Sequence, residues 1–78
     1  MLVVKNKTAI NLDAFKCFYY YDGDYEGDPD ASLIFAEKGT ADDETRCILH
    51  VKEPAQVWQE ILVAYERGAK VYRIEEPI

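Results

Sequence analysis

Residues 54–68 read PAQVWQEILVAYERG, and this stretch sets the terms for the rest of the chain. Proline suits a first helical position, where its missing N–H would be unpaired anyway, and glycine suits the left-handed stop just past a helix end. Between Pro54 and Gly68, Val57, Trp58, Ile61, Leu62 and Tyr65 fall at helical spacing on one side. Gln59, Glu60, Glu66 and Arg67 take the other side, so the segment is an amphipathic helix with one apolar face to bury.

Everything N-terminal to it has strand character. Leu2–Lys5 is a short β-rich run, Asn6-Lys7 a tight turn, and Thr8–Leu12 its return before Asp13 breaks the pattern. Ala14–Tyr21 (AFKCFYYY) is dense in aromatics, which favour a pleated surface. Ser32–Lys38 (SLIFAEK) and Thr45–Lys52 (TRCILHVK) follow, separated by the polar stretch 39–44, and Val71–Ile74 is a short last strand. The expected fold is α+β: one domain over residues 1–78, with an antiparallel sheet of four to five strands packed by one C-terminal helix.

Parity along the strands raises a problem of coverage. Phe15, Cys17, Tyr19 and Tyr21 project to one side of their strand while Phe18 and Tyr20 project to the other. Leu33 and Phe35 oppose Ile34 and Ala36; Cys47, Leu49 and Val51 oppose Arg46, His50 and Lys52, with Ile48 joining that polar side. A helix of about fifteen residues is roughly 22 Å long and 10 Å wide, enough for one face of a small sheet. Either the sheet curls and closes on itself, or a second apolar face meets another chain. The residues expected at that interface are Phe18, Tyr20, Ile34 and Ile48, and the expected partner is a protein, a second copy of this chain included.

The order of VVKNKTAINLDAF, SLIFAEK, TRCILHVK, PAQVWQEILVAYERG and KVYRI resembles that of small uncharacterised bacterial and phage single-domain proteins with a pleckstrin-homology-like roll. That resemblance implies a bent antiparallel sheet followed by one helix, and a binding platform in place of an enzyme.

Composition narrows function further. The chain has 78 residues, near the low end for independent folding, and 49% of them are apolar, which argues against disorder. Nine Lys and Arg against fifteen Asp and Glu leave a net charge of −6, which repels phosphate backbones and anionic lipid, so neither nucleic acid nor membrane is an expected direct partner. The apolar run before Lys5 is too short for a signal-peptide core, and a cytoplasmic location is expected. Cys17 and Cys47 lack C-x-x-C spacing and read as free thiols.

Residues 22–30, DGDYEGDPD, place a carboxylate at every second position: Asp22, Asp24, Glu26, Asp28 and Asp30. Against the calcium-loop pattern, Gly27 takes the turn position, but the twelfth position is Leu33 where a bidentate Glu is required. Weak Ca²⁺ or Mg²⁺ binding is one reading; a charged connection that stays hydrated and protects its aromatic neighbour from aggregation is the simpler one. A third reading makes residues 22–30, Asp42, Asp43 and Glu44 a mimic of nucleic-acid phosphates that occupies a DNA-binding protein. No catalytic group and no cofactor are expected. His50 and Cys47, three apart on a strand, face opposite ways, and Cys17 with His50 lacks an orienting third group. Trp58 and Tyr65 on the helix read as core, and Tyr19–Tyr21 lack the basic groove that base-stacking binders need.

Overall fold

A computed structural model describes residues 1–38 and 44–75. Six strands and one helix follow in the order β1 (Leu2–Lys5), β2 (Thr8–Asn11), β3 (Cys17–Tyr21), β4 (Ser32–Ala36), β5 (Cys47–His50), α1 (Pro54–Glu66) and β6 (Val71–Arg73), with a 3₁₀ turn at Leu12–Ala14 between β2 and β3. The expected strands and helix are present. They are divided between two three-stranded sheets, ordered β2-β1-β6 and β3-β4-β5.

Local chemistry explains the ends of these elements. Asn6 adopts φ 53°, the left-handed conformation that asparagine tolerates better than most residues, and lets Lys5 pair with Thr8 across a two-residue turn. Pro54 opens α1 as its sequence position requires. At the other end Gly68 has φ +78°, its N–H donates to the Tyr65 carbonyl at 3.0 Å, and the Ala69 N–H reaches back to the Ala64 carbonyl at 3.0 Å. These two bonds satisfy carbonyls that the helix itself leaves open.

The C-terminal strand pairs parallel to β1, with Leu2 opposite Val71 and Val4 opposite Arg73. Bonds from the Leu2 N–H to the Lys70 carbonyl and from the Ile74 N–H to the Val4 carbonyl extend the ladder at both ends. A parallel neighbour requires a long crossover, and the α1-containing segment completes it. The return carries Ile74 into the core.

That core is one cluster drawn from both sheets and the helix: Val3 and Ile10 from the first sheet, Leu33, Phe35 and Leu49 from the second, Val57 and Ile61 from α1. Phe18 stands opposite Phe35 in register, and the two rings stack with centroids 4.8 Å apart. Trp58 lies over this strand, 6.3 Å from the Phe18 ring and 5.3 Å from that of Tyr20, and its indole N–H donates to the Phe18 carbonyl at 3.1 Å. Lys5 ties the sheets together by donating through Nζ to the His50 carbonyl at 2.5 Å.

The buried stripe of α1 is narrower than its sequence suggests. Val57 and Ile61 are buried and Trp58 and Leu62 half-buried, while Tyr65 is exposed and turns its hydroxyl to the Asp13 carboxylate at 2.8 Å. Ile61→Ala should therefore cost about 2–5 kcal/mol through the cavity it leaves in a site with no solvent exposure. Val63→Ala, on the exposed side of the same helix, should cost less than about 0.5 kcal/mol. Urea unfolding followed by tryptophan fluorescence measures both, and equal costs would show that α1 packs through a different face.

Candidate functional site: the outer face of the second sheet

Register assigns every side chain of β3, β4 and β5 to one of two faces. On the inner face Phe18 pairs with Phe35 and Tyr20 with Leu33, while Leu33 pairs on with Leu49 and Phe35 with Cys47. The outer face has three rows. Tyr19, Ile34 and Ile48 form the middle row across all three strands; Tyr21, Ser32 and His50 form the row toward the acidic loop; Cys17 and Ala36 form the row at the other end.

The four residues expected to make one interface therefore do not share a face. Phe18 is half-buried in the stack with Phe35 and Trp58, and Tyr20, 37% exposed, lies at the margin of that packing. Only Ile34 and Ile48 face outward. The reason is parity: β3 is aromatic on both faces, and pairing with β4 puts its even-numbered residues beneath the helix. Tyr19, absent from the expected interface, is the third member of the outward row.

Exposure across that row is graded. Ile48 is 45% exposed, whereas Ile34 and Tyr19 are half-buried by their neighbours. Among the described residues, none of the strand positions on this face is a carboxylate, in a chain of net charge −6. Both edges of the sheet have a carbonyl already occupied by a side chain from another element, Trp58 on β3 and Lys5 on β5. Such contacts blunt an edge against pairing with another strand; on the broad face, Ser32 and Ala36 of β4 are buried.

The acidic loop has a different role from the one its alternating carboxylates suggest. Asp28 is only 8% exposed and bends the loop around itself: its Oδ2 accepts the Asp24 N–H and its Oδ1 the Asp30 N–H, each at 2.9 Å. The bond from Asp30 is the local turn that an Asp-Pro-Asp sequence favours. These two backbone donors hold the Asp28 carboxyl below the usual range, because they stabilise its charged form. Gly23 sits against the same side chain with φ +92°, and a Cβ there would lie 2.5 Å from Asp28 Cβ.

Asp22, Asp24, Glu26 and Asp30 are exposed. Among the described residues, no three His, Cys, Asp or Glu side chains converge in a way that could hold a metal ion. Asp24 instead accepts a hydrogen bond from the Tyr21 hydroxyl, which with partial burial and the neighbouring carboxylates pushes that phenol up to about 12. Glu44 is exposed, and Asp42 and Asp43 lie outside the described residues.

Remaining candidates separate in space. Cys17 and His50 share the outer face but stand two strands and four register positions apart, roughly 16 Å by sheet geometry. Cys47 faces inward; both cysteines are free. A shallow open cleft of about 260 Å³ lies between the 3₁₀ turn, β3 and α1, floored by Leu12, Phe15, Phe18 and Leu62. That is below the usual range for small-molecule sites, and its polar groups serve each other: Asp13 accepts from Tyr65 and from the Met1 amino group. No helix of the described residues is long and apolar enough to cross a membrane.

Comparison with protein-family models, with curated proteins and with solved structures finds no match to this chain.

Two measurements test the loop assignment. Because the folded Asp28 pKa lies below its unfolded value of about 3.9, its stabilising contribution is fully present above that value and is lost as pH falls through the folded value. The Asp24 and Asp30 amide resonances should accordingly shift together only below about pH 4; independent shifts at higher pH would break the assignment. Gly23→Ala should destabilise by more than the roughly 1–2 kcal/mol of a left-handed alanine, since overlap with Asp28 adds to it.

Proposed function

We propose that this protein is a non-enzymatic interaction module that associates with a second copy of itself through the outer face of β3-β4-β5. The observation that carries this reading is the middle row, Tyr19–Ile34–Ile48, an apolar band crossing three strands on a face whose described strand positions hold no carboxylate. Like-charged copies repel, so the approach that brings the fewest charges together is favoured, and this face offers it. A partner of opposite charge would dock instead where the carboxylates are.

Size sets the strength. Three strands about 4.8 Å apart and five residues at about 3.4 Å each give a footprint of roughly 14 by 17 Å. That is well short of the ~800 Å² per partner typical of stable complexes, so the association is weak and concentration-dependent.

Sedimentation velocity across a concentration series tests it. The native chain should shift toward a dimer as concentration rises, and Ile48→Glu should weaken self-association at least tenfold while leaving the circular dichroism spectrum unchanged, because Ile48 is exposed. Phe18→Glu should behave differently and unfold the monomer, since it places a charge in the Phe35–Trp58 stack. A native chain that stays monomeric at millimolar concentration would rule the reading out.

A further inference from the structure

We draw no further inference here: the strongest candidate, the shallow cleft between the 3₁₀ turn, β3 and α1, has its Asp13 carboxylate already bonded by Tyr65 and the Met1 amino group, and nothing in the structure shows what covers its apolar floor.

Discussion

The pairing of Phe18 with Phe35 fixes which half of β3 is inside. Strand β3 is aromatic on both sides, so composition alone does not choose a face for it. The stack of these two rings at 4.8 Å, with Trp58 above them and its indole N–H bonded to the Phe18 carbonyl, turns the even-numbered residues toward the helix. A slip of one residue would exchange the two sets. Tyr19 and Tyr21 would enter beneath the helix, and Phe18 would be exposed. The inner packing thus determines the outer surface, because the residues the helix does not cover are the residues left facing outward.

Much of the architecture was legible before any coordinates, and the reasons are local. Pro54 and Gly68 each act through their own backbone geometry, so they marked the ends of α1 without reference to the rest of the chain. The alternation of Cys47, Leu49 and Val51 likewise identified the buried face of β5. The parallel return of β6 onto β1 was not legible, because it depends on a contact between residues almost seventy positions apart. The β3 face was not legible either: its two sides were equally apolar, and only a neighbour could decide between them.

In the acidic loop the sequence signal was present but pointed elsewhere. Alternating carboxylates resemble a ligand set when counted along the chain, yet coordination requires convergence, and the peptide geometry here turns them apart. Asp28 is the exception, and both its oxygens are occupied by backbone N–H groups of its own loop. The informative features were the Asp-Pro-Asp turn and Gly23. A buried carboxylate that accepts two backbone bonds organises a loop more economically than a cation would, since it needs no external ligand. The remaining carboxylates then contribute a charged rim beside Tyr21.

Both sheets have an outer face, and the difference between them separates ordinary surface from a candidate docking surface. On the first sheet Leu2 and Val71 are exposed side by side, but Asn11 flanks them on β2 and Arg73 follows on β6, so the apolar area is broken within a residue or two. Isolated apolar pairs of that kind occur on most proteins and call for no partner. On the second sheet the apolar row crosses every strand, neither edge is free of a capping side chain, and no carboxylate interrupts it. A small chain has few ways to cover a sheet on both sides: here one helix and the first sheet together cover the inside, while on the outside Ser32 and Ala36 are buried, Tyr19 and Ile34 half-buried and Ile48 exposed. Tyr19 takes the place among the outward residues that Phe18 and Tyr20 were expected to fill.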